Sequence, residues 1–396
     1  MNKLTLGIIA AMFSTSASAS WSIVDIGELL GKEKISVAAI NDWGQITGEV
    51  RISDSVSHAY LASANGNFKD LGTIGASNSS GFGINNFGQV IGNLSQEYIP
   101  SGSFITGPNG QGMTIFATDD GAATTSIRLS GINDSGMVTG GYFNEDGSGK
   151  SFVADSNGSI IRVVSQSEST AGPSAINNSG QVAGNFISSD GRTPKVHAFI
   201  TNSDGSIRDL SNPGEKHYTR SEANDINNSG QVAGTLSMGN YRWSQAFITG
   251  DDGVGMIKLG TLGHTGSYAV AINDIGQVIG ISTYGNEPGF FKYIDSFIYA
   301  NGGLTNLSAL PEVINAGWTS LFVSDINNNG QIIGTGYRDN DLDNPHPFLL
   351  SFTSDTVFTP RDFYIPLVPE PSTYLMLLAG LGLLGFVGYN KKATRL

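Results

Sequence analysis

The side chains best suited to chemistry are few and scattered. Histidine occurs five times, at 58, 197, 217, 264 and 346, and cysteine is absent, so thiolate nucleophiles, thiolate metal sites and disulfides are all excluded. No His-x-x-x-His pair presents two imidazoles to zinc, and no Gly-x-Ser-x-Gly elbow raises a serine nucleophile. Carboxylates remain. Glu97, Glu145, Asp190 and Glu287 are the ones a glycoside hydrolase or polysaccharide lyase would draw on, provided two of them converged within about 10 Å. Asp339, Asp341 and Asp343 alternate with Asn340 and Asn344 in a pattern that offers oxygen ligands to Ca²⁺, and Asn144-Glu145-Asp146-Gly147 is a shorter version. Neither has the spacing of a full calcium loop, and no other cofactor is implied.

These residues are positioned by a repeat. The pattern Ile-Asn-x-x-Gly-Gln-Val-x-Gly returns seven times, starting at Ile40, Ile84, Ile132, Ile176, Ile226, Ile272 and Ile326, at intervals of 44, 48, 44, 50, 46 and 54 residues. Ile closes a short strand, Asn-x-x-Gly supplies the turn, and Gln-Val-x-Gly opens the next strand. Upstream lies an Asp-Leu-Gly-like strand (Asp25, Asp70, Asp209). Downstream lies a strand built on His-Ala-Phe or a relic of it (His58-Ala59-Tyr60, His197-Ala198-Phe199, His346-Pro347-Phe348).

Four short strands per unit and a period of 40 to 50 residues predict an all-β, seven-bladed β-propeller over residues 20–365. The competing architecture is an open β-solenoid. Ring closure falls either to residues 21–30 or to Arg361-Asp362-Phe363. Histidines at equivalent places in different units stand far apart around a ring, which reads as a structural role.

The two ends of the chain read differently. Residues 1–19 have the form of a secretory signal, with Lys3, an apolar stretch and Ala17-Ser18-Ala19. Residues 366–373 form a linker containing Pro369-Glu370-Pro371. Residues 374–396 are an apolar run followed by Lys391, Lys392 and Arg395, long enough as a helix to cross a bilayer with its basic end in the cytoplasm.

That tail resembles the PEP-CTERM sorting signal of exported bacterial proteins. The resemblance implies an exosortase-like enzyme that removes the tail, and delivery to the cell surface or extracellular matrix of a Gram-negative, biofilm-forming bacterium. The His-Ala-Phe strands between nonapeptides resemble the HAF family of extracellular repeats, which supplies no catalytic residue. The membrane enters only through the tail before processing.

Lys and Arg number 21 and Asp and Glu 34; without Lys3, Glu370, Lys391, Lys392 and Arg395 the body carries 17 and 33, a net charge of −16. Nucleic acid and anionic lipid are poor partners for such a surface, and neutral glycans or cation-bridged polymers fit better; the expected partner is exopolysaccharide or another surface protein. Between Gln-Val-x-Gly and the His-Ala-Phe strand each unit has a variable segment, and rotation about a ring brings all seven to one face. Tyr241, Trp243 and Tyr284 lie in these segments and are the candidate sugar-stacking residues. The expectation is a non-enzymatic scaffold, with a carbohydrate-active enzyme as the alternative.

Overall fold

The computed structural model describes residues 20–353, apart from 97–98, 122–126, 144–148, 166–171, 190–193, 203–204, 212–217, 239–242, 285–292 and 340. The signal segment, the Pro-Glu-Pro linker, residues 361–363 and the expected membrane helix from 374 lie outside the described residues. Among the described residues, no helix is long and apolar enough to cross a membrane.

Each nonapeptide is the hairpin turn between the first and second strands of a unit. In copy one the Asn41 side chain caps the turn, its Oδ1 accepting from the Trp43 N–H at 3.1 Å and the Gln45 N–H at 2.9 Å. The Gly44 N–H closes it onto the Asn41 carbonyl at 3.0 Å. Gly44 sits at φ +69°, and the matching glycine of the other six copies is also left-handed, a region that costs a side chain energy.

The last glycine of the nonapeptide has a different duty. Gly234 pairs with Phe247 on the next strand, and a Cβ there would stand 2.1 Å from the Glu222 carbonyl and 2.5 Å from the phenylalanine ring. A bulge between Ala223 and Asp225 brings that carbonyl in. The aromatic opposite this glycine is Tyr60 in the first copy and a phenylalanine in the others, fully buried each time.

Apart from one parallel contact, strand pairing in the sheets is antiparallel among the described residues. Five are four-stranded, spanning residues 35–72, 78–115, 128–165, 266–306, and 318–353 with Ser20–Asp25; one spanning 172–260 is eight-stranded. The architecture is an all-β propeller, but it corrects the expectation of seven separate blades. Copies four and five merge because Val196 pairs in parallel with Arg220, which joins their sheets at one point. Separate apolar clusters fill the joints, one around Phe297 and Ile248, another around Phe348 and Trp318.

The ring closes through the N-terminal strand. Ser20–Asp25 runs antiparallel to the last strand, from Ser20 opposite Thr353 to Asp25 opposite Phe348. Within the ring the Asn41 amide donates to the Asn85 carbonyl of the next copy at 3.0 Å, and every copy repeats this step until Asn327 donates to Asn41 at 2.9 Å. A closed belt of this kind is incompatible with an open solenoid.

The two weaker sequence signatures meet in space. His58 Nδ1 lies 2.9 Å from the Asp70 carboxylate, His197 Nδ1 2.8 Å from Asp209 Oδ2, and His346 Nδ1 2.7 Å from Asp25 Oδ2. In each case the Asp also receives a backbone N–H two or three residues on, from Gly72, Ser211 or Glu28. Histidine and aspartate therefore hold the third and fourth strands together.

Candidate functional site

All seven nonapeptide turns open onto the axis, where the Ile-Asn-Asx stretch of every copy lines a cavity of about 160 Å³. The third residue of each nonapeptide forms a collar at its mouth: Asp42, Asn86, Asp134, Asn178, Asn228, Asp274 and Asn328. The backbone N–H of each donates to Oδ1 of the next, from Asp42 to Asn86 at 2.9 Å round to Asn328 and Asp42 at 2.9 Å. No two aspartates are neighbours in this order. Asn86 donates its amide to Asp42 and Asp134, and Asn328 donates to Asp42 and Asp274. Three carboxylates are thus held around one opening without direct contact, each oxygen already accepting a hydrogen bond.

Two further carboxyl groups belong to the axis, at a position that Ala or Gly occupies in the other five copies. Asp325 accepts from the Ile40 N–H at 2.9 Å and the Ile326 N–H at 2.8 Å, and Asp225 accepts from Ile272 and Ile226 at the same distances. Burial pushes Asp325 up to about 7 and Asp225 up to about 6, opposed by these backbone donors and reinforced by the negative charge of neighbouring aspartates. Both were legible as polar intruders in an Ala/Gly position, immediately before Ile226 and Ile326. The collar was less so, because Asn-Asp-x-Gly reads as a local turn. Its role between copies requires the ring.

The described flanks of the variable segments, such as Met238 opposite Trp243 and Tyr284 opposite Tyr293, lie at the opposite end of the strands from the nonapeptide turns. Tyr241 lies outside the described residues, as do Glu97, Glu145, Asp190 and Glu287. Trp243 and Tyr284 are both exposed, at 52% and 51%. They stand at adjoining strand ends: the carbonyl of Ser244 and Oγ1 of Thr283 lie 3.5 and 3.2 Å from the point where Gly266 would carry a Cβ. Tyr284 meets the His264 ring edge-on at 6.2 Å, and His264 Nε2 lies 3.3 Å from Asp295. Below Trp243, the buried hydroxyls of Thr235, Ser237 and Ser244 have no hydrogen-bond partner among the described residues.

The calcium candidates serve a hairpin. Asp341 Oδ1 accepts from the backbone of Asp343 and Asn344, and Oδ2 accepts from the Asn344 amide at 2.7 Å. Asp339 lies at φ +54° with its N–H bonded to the Gly317 carbonyl. Among the described residues no group of three or more histidine or acidic side chains converges to hold a metal.

One arrangement has the polarity of a nucleophile relay. Ser188 Oγ lies 2.9 Å from His197 Nε2, whose Nδ1 faces Asp209. The His–Asp half of it recurs in copies one and seven as a strand tie, which accounts for the pair without a reaction.

Comparison with known proteins bears on the fold and the tail. Residues 367–392 match the family of the PEP-CTERM protein-sorting motif. No curated protein matches the chain. Among solved structures it is similar to the β-propeller domain of the trilobed protease from Pyrococcus furiosus, described as having an open velcro topology, at 12% identity and TM-score 0.56 over 84% of this chain and 100% of that one. Oligogalacturonate lyase from Vibrio parahaemolyticus gives 10% identity and TM-score 0.52, over 84% and 97%. Uncomplexed acylaminoacyl peptidase from Pyrococcus horikoshii gives 10% identity and TM-score 0.53, over 84% of this chain and 53% of the peptidase, so the chain spans about half that protein's length. At such identities the shared property is the fold.

Proposed function

We propose that the chain is an exported surface or matrix protein, anchored by its tail, released by an exosortase-like enzyme, and used as a non-enzymatic scaffold that holds exopolysaccharide on its variable face. The sorting motif at 367–392 supports export, membrane anchoring and processing. The likeness of the His-Ala-Phe strands to HAF repeats supports an extracellular destination, and the association of the sorting motif with exopolysaccharide-making Gram-negative bacteria supports such a source.

The observation that carries the binding reading is the pair Trp243 and Tyr284, half-exposed at adjoining strand ends above hydroxyls that lack partners among the described residues. Aromatic faces stack on sugar rings, and unsatisfied buried hydroxyls are met by water or by a ligand's hydroxyl. The body charge of −16 disfavours nucleic acid.

Retention on native matrix polysaccharide tests the reading. The exported protein is expected to be retained, and the Trp243→Ala/Tyr284→Ala variant to pass through. A wild-type protein that passes through equally overturns it. Replacing Pro369, Glu370 and Pro371 by alanine is expected to leave full-length chain in the membrane.

A further inference from the structure

The fourth residue of each nonapeptide is the tip of its turn, and the seven tips are unlike. Copies three, four and five carry Ser135, Ser179 and Ser229, all exposed. Copies six, one and two carry Ile275, Trp43 and Phe87, exposed at 69%, 42% and 47%. Copy seven, which lies between six and one in the closed ring, carries Asn329 at this place and adds the exposed Phe352 at the end of its last strand. Among the turn tips the large apolar residues are therefore gathered on one arc and the serines on the other; outside the tips, Val254 and Ile257 are exposed at 64% and 57% beside the turn of Ser229, whose carbonyl accepts the Asp252 N–H at 2.9 Å.

The same arc is where the described chain begins and ends. Ser20 and Thr353 are paired side by side in copy seven, and Leu350 lies opposite Ile332, the second residue beyond the Asn327–Gly330 turn. Both ends thus leave from the turn face. From Ser354 to Val368 the sequence runs 15 residues before Pro369, a reach of about 50 Å at full extension.

We propose that the apolar arc of the turn face is a lipid-contacting surface, with Trp43, Phe87 and Ile275 lying in the headgroup region of a zwitterionic bilayer while the tail is still attached. This rests on the anchoring reading of the tail. Tryptophan and phenylalanine suit that region, and a tether at the centre of the arc holds the face at high effective concentration there. The collar aspartates, Asp42, Asp134 and Asp274, are recessed behind the tips on the same face and oppose an anionic surface, so the contact favours phosphatidylcholine over phosphatidylglycerol.

The absence of native cysteine gives a clean test. Single variants Phe87→Cys, Ile275→Cys, Ser179→Cys and Tyr284→Cys of the full chain are labelled with a nitrobenzoxadiazole dye and reconstituted in phosphatidylcholine vesicles with or without brominated acyl chains. Labels at 87 and 275 are expected to show blue-shifted emission and to lose most of it to brominated lipid, while those at 179 and 284 remain in water. Vesicle flotation is read in parallel. A chain that does not float fails the anchoring reading, whereas one that floats with the 87 and 275 labels water-exposed overturns the lipid contact alone. A shift at 87 that follows protein concentration rather than lipid assigns the arc to a second copy and also overturns it.

Discussion

His346 Nδ1 lies 2.7 Å from Asp25 Oδ2, a contact between residues 321 positions apart. Asp25 is buried, caps the short helix Ile26–Leu30 through Glu28, and belongs to the strand that completes the last sheet. His346→Ala leaves that carboxylate short of a partner and is expected to cost about 1–3 kcal/mol of stability. Hydrogen exchange should show the loss concentrated in Ser20–Asp25. His58→Ala, which removes the same pair within a sheet made of contiguous sequence, should leave that strand protected.

The Asn belt predicts a larger effect. Asn177 donates to the Asn227 carbonyl at 3.0 Å and its Oδ1 accepts the Gln181 N–H at 2.9 Å, with 3% of its surface exposed. Asn177→Ala strands both partners and is expected to cost about 2–4 kcal/mol, read as a lower urea midpoint. An unchanged midpoint would mean the belt is decorative.

Alternation in the collar can be tested by breaking it. Asn178→Asp puts a carboxylate beside Asp134, to which Asn178 now donates its amide at 2.8 Å. The variant should lose about 1–2 kcal/mol at neutral pH and recover part of it in high salt or on acidification. Asn178→Ala, without the added charge, should show little of that salt response.

Asp225 and Asp325 give a pH dependence with a defined sign. Both are raised in the folded state, to about 6 and about 7, from about 3.9 when unfolded. Between pH 4 and 7 the unfolded chain has released these protons and the folded chain still holds them, so their contribution to stability falls as pH rises. Denaturation of wild type and the Asp225→Asn/Asp325→Asn double variant at pH 4.5, 6 and 7.5 isolates the effect. The variant's stability relative to wild type should climb across that range; a flat difference refutes the assignment.

Gly234→Ala tests the close packing of the hairpin. A methyl group there meets the Glu222 carbonyl at 2.1 Å, backbone that cannot turn aside. The expected loss is about 3 kcal/mol or more, with poor recovery of folded protein.

The repeat made the architecture legible because the nonapeptide, the buried aromatic and the Asp-Leu-Gly strand all recur at one period. Gly44 and its equivalents were readable from backbone geometry alone. What the residues Asn41 and Asp42 do between copies was not, since an Asn-Asp-x-Gly turn needs no partner to make sense locally. The merger of copies four and five rests on a single pairing, Val196 with Arg220, and nothing in either segment sets it apart. The pairing of His58 with Asp70 was within reach: histidine appears at that strand position only in the copies that keep the aspartate, as at Asp209 and Asp25. The ends of the variable segments stayed opaque for the opposite reason. They differ from copy to copy, and a single sequence offers no period to read there.

The closed belt also sets an order in time. The Asn41 carbonyl must wait for the Asn327 amide, 286 residues later, and Ser20–Asp25 must wait for the strand Asp341–Thr353. A chain crossing a membrane from its N-terminus delivers the earliest partners first and the latest last. The first sheet can form locally while its neighbour across the gap is still on the other side, and the circle is completed only after Thr353 has emerged. The sorting motif at 367–392 then follows within a few tens of residues. Completion of the ring and arrival of the tail at the membrane are therefore nearly the same moment in the life of the molecule. Slowing either one should lengthen the exposure of an unfinished circle to proteases on the far side of the membrane.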